Sequence, residues 1–187
     1  MRIGQKNILG TFAADQYVKI YENILSSAAT SITISGLDGD TDEEYRLILR
    51  YVNGCSGGTN ICAYYNNDTN LTNYGGIFLQ GVGPGTSSVG FSPTTDVTLY
   101  IGRADSSGNL SFSDTIIYAK SGYIRTSITT WSRNISGTTV SHIQLFSAVW
   151  NNTSTNITSL VIKDISDYSN ALGIGTSIEL WKKKYKS

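Results

Sequence analysis

Side-chain alternation with a period of two, broken at short intervals by turn residues, is the feature that most narrows what this chain can fold into. Ser31-Ile32-Thr33-Ile34-Ser35 alternates hydroxyl and isoleucine and stops at Gly36. Successive side chains of an extended strand point to opposite faces, so Ile32 and Ile34 share one face and the hydroxyls the other. In residues 45–52 the odd positions Tyr45, Leu47, Leu49 and Tyr51 form a core face, and Arg46 and Arg50 point away from it. No segment carries a sustained helical stripe.

Runs of β-branched and aromatic residues continue in this way to the end of the chain. Clusters of Gly, Asn, Asp and Ser separate them roughly every 8 to 14 residues, the rhythm of a sandwich or barrel. Strands are predicted at residues 18–24, 31–35, 45–52, 60–65, 76–80, 97–103, 115–119, 123–131, 140–150, 157–163 and 177–183. An all-β fold follows, an antiparallel jelly-roll β-sandwich of about eleven strands. Residues 17–187 form the sandwich; residues 1–16, poor in strand formers and containing Ala13-Ala14, are expected as an N-terminal arm or short helix. A chain of 187 residues buries a two-layer core without help from disulfides or a metal.

Charge excludes some partners. Lys and Arg together number 14, as do Asp and Glu, for a formal net charge of zero. Phosphate-seeking proteins show a basic face or stripe, so no nucleic-acid partner is expected. No apolar run reaches the ~20 residues of a membrane span, and residues 1–14 hold no secretory core, so the chain is expected to be made in the cytoplasm. The one basic cluster, Lys182, Lys183, Lys184 and Lys186, reads as the solubilising end of an edge strand.

The residues that carry chemistry are sparse. A serine or cysteine nucleophile needs a base that holds a proton near neutral pH, and the sequence has a single histidine, His142. In 140–150, Ile143, Leu145 and Val149 are assigned to the core face. His142, Gln144, Phe146 and Trp150 then fall on the opposite face, and His142, Phe146 and Trp150 become a contact-surface candidate. The acidic run Asp38-Gly39-Asp40-Thr41-Asp42-Glu43-Glu44 resembles a Ca²⁺ loop only in its alternating aspartates. An EF-hand beginning at Asp38 wants Gly at 43 and Glu at 49, where the chain has Glu43 and Leu49. The run is read as a tight turn whose Asp side chains cap local amides. A turn at Gly58-Thr59 would set Cys55 opposite Cys62 on a hairpin; free thiols are expected in a reducing compartment, a cross-strand disulfide being the alternative. No metal, no cofactor and no catalytic residue is expected.

Several segments, taken in order, carry a likeness. They are residues 34–46, Asn66-Asn67-Asp68-Thr69 with Asn73-Tyr74-Gly75, Trp150-Asn151-Asn152-Thr153 leading into Asn156-Ile157-Thr158-Ser159-Leu160-Val161-Ile162, and the closing Gly173-Ile174-Gly175-Thr176-Ser177-Ile178-Glu179-Leu180-Trp181. Together they resemble tailed-bacteriophage virion proteins of the jelly-roll decoration, head-fibre or tail-associated kind. The resemblance implies a non-enzymatic structural subunit, often a homotrimer, located in the virion, with copies of itself and capsid or tail proteins as partners. It brings no catalytic residues. The alternative is a carbohydrate-binding, lectin-like module on a virion surface that binds glycans, with Trp131, Trp150 and Trp181 as sugar platforms.

Overall fold

The computed structural model describes residues 17–83, 92–95, 98–136 and 139–183. The expected N-terminal arm, Lys184 and Lys186 lie outside them. Twelve strands form: β1 Tyr17–Ile24, β2 Ser31–Ser35, β3 Glu44–Val52, β4 Thr59–Tyr65, β5 Tyr74–Val82, β6 Ser92–Thr95, β7 Leu99–Ala104, β8 Leu110–Tyr118, β9 Arg125–Ser136, β10 Thr139–Trp150, β11 Ser159–Asp164 and β12 Ser177–Lys183. One helical turn, α1 Gly39–Asp42, precedes β3.

Eight of these strands pair in a nested series, β1 with β12, β2 with β11, β3 with β8 and β4 with β7, all antiparallel. This is the wrapping of a long hairpin folded over on itself. The ladders β12–β3 and β11–β4 then join it into two sheets, which is the jelly roll. The remaining strands enter as two insertions, β5 and β6 between β4 and β7, and β9 and β10 between β8 and β11. Both insertions add to the same sheet, giving the order β1-β12-β3-β8-β9-β10-β5-β6 against a small sheet β2-β11-β4-β7. The sandwich is therefore lopsided, eight strands facing four.

Most of the expected strands are present, and the expected core faces of β2 and β3 hold: Tyr45, Leu47, Leu49 and Tyr51 are fully buried with Ile32 and Ile34 in the main core. The strand absent from the sequence reading is β6. It is short, contains Pro93 and pairs only with β5; proline supplies no ladder donor and is confined to such edges. β8 begins at Leu110, earlier than expected, because its inward side chains there are Ser111, Ser113 and Thr115 rather than aliphatic. These small hydroxyls lie where β7 crosses the large sheet.

Two expectations about loops and edges are corrected. β3 and β4 belong to different sheets, so residues 53–58 cross between layers and make no hairpin. Cys62 lies opposite Tyr100 and Lys163, away from Cys55, and both thiols are free. Nor is β12 an edge: it is paired on one side to β1 and on the other to β3. Its lysines meet the acidic run instead, Lys182 Nζ at 2.8 Å from Asp42 and Lys183 Nζ at 3.0 Å from Glu44.

The acidic run folds as the capped turn expected of it. Asp38 caps α1 by accepting from the Thr41 amide and hydroxyl, Asp40 accepts from the Ser121 amide, and Asp42 accepts from the buried Tyr45 hydroxyl. Asn156 ties this turn to the opposite end of the chain, donating to Asp38 at 2.9 Å and accepting from the Asp40 amide at 3.1 Å. Next to it, Asn66 in a left-handed conformation accepts from the amides of Thr158 and Ser159. Asp68 likewise receives the Trp150 indole N–H and the Asn73 amide, each at 2.8 Å. The loops around Asp38, Asn66, Asp68 and Asn156 thus converge on one end of the sandwich as a hydrogen-bonded clasp.

Arg125 closes that end. Its guanidinium is buried without a carboxylate in ion-pair contact among the described residues and donates to the carbonyl oxygens of Ala119, Tyr123, Asn152 and Thr155, spanning the β8–β9 and β10–β11 loops. Trp150 packs on it, with the guanidinium carbon 5.6 Å from the ring centroid. Truncation would leave four carbonyls short of a donor, so Arg125→Ala is expected to cost about 2–4 kcal/mol in equilibrium urea unfolding. Arg125→Lys should recover only part of this, because an ammonium lacks the planar fork that reaches both loops.

Candidate functional site

β9, β10 and β5 extend the large sheet beyond the jelly roll, and each presents two chemically distinct faces. On the outer face, the paired rows across β5, β10, β9 and β8 read Ile77, Ser147, Ile128, Ile116 and, one row on, Leu79, Leu145, Thr130, Asp114. Ile143 is 65 % exposed, Ile128 54 % and Phe112 53 %; Leu145, Ile116, Ile77 and Val149 join them. No Lys, Arg, Asp or Glu points outward from β5, β9 or β10 among the described residues. The first charges appear at Asp114 of β8, bonded to Arg46 of β3 at 2.8 Å.

This reverses the face assignment made from the sequence for β10. Ile143, Leu145 and Val149 are the exposed residues, while Gln144, Phe146 and Trp150 are buried. His142, Phe146 and Trp150 do share a face, but it is the inner one, and Phe146 and Trp150 are core residues. Alternation fixes which residues go together and leaves open which set points inward when both are apolar. The larger aromatics took the interior. Phe146 lies on Gly76, where a Cβ would come within 2.5 Å of its ring, so β5 is kept free of a side chain at that point.

On the inner face, where the extension passes β7, the sheets separate into a cleft of about 190 Å³. Trp131 of β9, Tyr100 of β7 and Phe78 of β5 supply aromatic walls, and Asn60, Gln80 and Gln144 supply amides. Gly102 and Arg103 complete the lining, and no carboxylate takes part in it among the described residues. Trp131 is 95 % buried by its 5 % residual exposure, and its indole N–H has no acceptor among the described residues. Its ring stacks on His142 at 6.4 Å between centroids with 20° between planes.

His142 is held rather than poised. Arg133 Nε donates to its Nδ1 at 3.0 Å and Ser141 Oγ lies 2.5 Å from the same nitrogen. Arg133 is itself buried and paired with Asp105. Burial, and then the guanidinium charges of Arg133 and Arg103, push the imidazole below its ordinary pKa of 6.5. A ring whose lone pair faces a cation is a poor base for activating a hydroxyl. Of the other expected sugar platforms, Trp150 is bonded to Asp68 in the core, and Trp181 lies on the outer face of β12 with its N–H on Glu179 and Lys19 5.4 Å from the ring centroid. Cys62 is enclosed by Tyr64 and Val161, and burial raises its thiol far above the ordinary value.

No protein-family model, curated protein or solved structure matches this chain. No described helix is long and apolar enough to cross a membrane.

His142 is the one histidine in the sequence, so its imidazole proton resonance is unambiguous. Its titration midpoint in the folded protein should lie below 6.5. Because the unfolded state then binds more protons, the contribution of His142 to stability is complete above pH 6.5 and is lost as pH falls toward the folded midpoint. Asp38 and Asp40, held below their ordinary 3.8 by hydrogen bonds from Thr41 and Ser121, act in a separate and more acidic window. Unfolding free energies measured across both windows should lose the upper phase alone in His142→Gln.

Proposed function

We propose that this chain is a non-enzymatic structural subunit that assembles with copies of itself through the outer face of the β8-β9-β10-β5 extension. The observation that carries this reading is the apolar face itself, which bears outward charge only at its β8 border, on Asp114, among the described residues. Isolated exposed aliphatics are ordinary on soluble proteins, but a contiguous set on four neighbouring strands marks an interaction surface. With no outward charge among the described residues of β5, β9 and β10 to select a partner of opposite sign, the surface is complementary to another apolar face. A second copy supplies one.

The setting of this assembly is a tailed-phage virion, and the assembly is a trimer. These two parts of the proposal rest on the resemblance of residues 34–46, 66–75 and 150–158 to phage decoration, head-fibre and tail-associated subunits. Capsid or tail proteins are the remaining partners. The non-enzymatic reading is supported by the engagement of His142 with Arg133 and by the acidic run, whose carboxylates are taken up by amides, Tyr45, Lys120 and Lys182.

Sedimentation velocity on the purified full chain should give a trimer at micromolar concentration. Ile128→Asp combined with Leu145→Asp places charge in the middle of the face without touching the core, and should give a folded monomer with an unchanged far-UV spectrum. A wild-type monomer, or a trimer that survives both substitutions, would remove the basis for self-assembly through this face.

A further inference from the structure

The cleft on the inner face of the extension plays no part in that assembly, and its chemistry is specific. Aromatic side chains offer flat apolar contact, and Asn60, Gln80 and Gln144 each carry both a donor and an acceptor. A hydroxyl also donates and accepts, so a lining of amides matches a ring bearing several hydroxyls. No side-chain hydrogen bond from Gln80 or Gln144 to the described protein is present to use up that capacity. Trp131 adds a flat wall, and its indole N–H, buried behind that wall without an acceptor among the described residues, reports on what packs against the ring.

Charge narrows the ligand further. Arg103 is half exposed, and its nearest carboxylate, Asp105, stands off at 3.9 Å while also serving Arg133. With no acid among the described lining residues, the cleft carries a half-exposed guanidinium whose ion pair with Asp105 is long, suited to a planar anion. A nucleotide is less well served, since its phosphates call for several cations, a glycine cradle or a helix N-terminus, and only Arg103 and Gly102 are present. The volume of about 190 Å³ falls below the roughly 300 Å³ at which pockets for drug-sized ligands begin, which suits one ring.

We propose that the cleft bounded by Trp131, Tyr100, Phe78 and Arg103 is a binding site for a single carboxylated pyranose, such as a uronic acid. The aromatic walls take the C–H face of the sugar, the amides exchange hydrogen bonds with its hydroxyls, and Arg103 pairs with the carboxylate. The stack on His142, backed by Arg133, holds the indole in place before the ligand arrives.

The three tryptophans provide an internal control, because the indole N–H groups of Trp150 and Trp181 are already bonded to Asp68 and Glu179. In ¹⁵N-labelled full-length protein the Trp131 indole resonance is the one missing from Trp131→Phe. Titration with D-glucuronate should move that resonance saturably and leave the other two in place. Arg103→Gln, a change at an exposed position, should weaken glucuronate binding about tenfold, to the level of D-glucose in the parent protein. Three results would overturn the proposal: no movement of the Trp131 resonance at millimolar glucuronate, equal affinity for glucose and glucuronate, or a response to adenosine monophosphate with glucuronate silent. The oligomeric state, read separately by sedimentation, is unaffected by any of these outcomes.

Discussion

A sheet of four strands covers less than a sheet of eight, and much of this molecule is arranged around that inequality. β7, the outermost strand of the small sheet, packs across β3, β8, β9 and β10. Beyond it the large sheet continues through β10 and β5 without a matching strand above among the described residues. Near Arg125 the overhang is roofed by Tyr65, Tyr74 and Trp150, whose rings lie 5.2 to 6.4 Å apart. At the other end there is no roof of that kind, and the cleft beside Trp131 results. The two inserted strand pairs therefore create both surfaces to which a role is assigned.

The closed end of the sandwich is stabilised differently from the rest. Beside the buried Leu37 and Ile157, its loops are tied by polar groups that saturate one another: Asp38 with Asn156, Asn66 with the β11 entry, Asp68 with Trp150, and Arg125 with four carbonyls. Buried polar groups are costly when unpaired and rigidifying when fully paired. A clasp of this type fixes where β10 ends and β11 begins, and so fixes the register of β10 against β5 and β9. That register decides which face of the extension is apolar and outward, since a slip of one residue would exchange Ile143 and Leu145 for Gln144 and Phe146.

The strand pattern was written in the sequence to a large extent. Alternation located all the strands of the jelly roll and the inward faces of β2 and β3, because there one face is apolar and the other is polar. The turn at Asp38 was legible from its short acidic side chains and a failed Ca²⁺ spacing. β6 was not, being short and interrupted by Pro93, and the early start of β8 was hidden by serines that serve β7 rather than the core. The cleft had no local signal at all: Asn60, Phe78, Tyr100, Arg103, Trp131 and Gln144 come from five strands distributed over 85 residues.

What the sequence determined by itself was an all-β chain with a neutral surface, its strands, and the grouping of side chains into faces, because those properties depend on neighbours two residues apart. What only the tertiary structure decided was which face of β10 is covered, which strand is an edge and which residues meet across the sheets. Each of these depends on pairing between segments far apart in the chain, as when Lys182 meets Asp42 across 140 residues. On β10 both faces are apolar, and local periodicity is the same whichever one turns inward. The outcome was settled by the small sheet, which covers one side, while none of the described strands packs on the other.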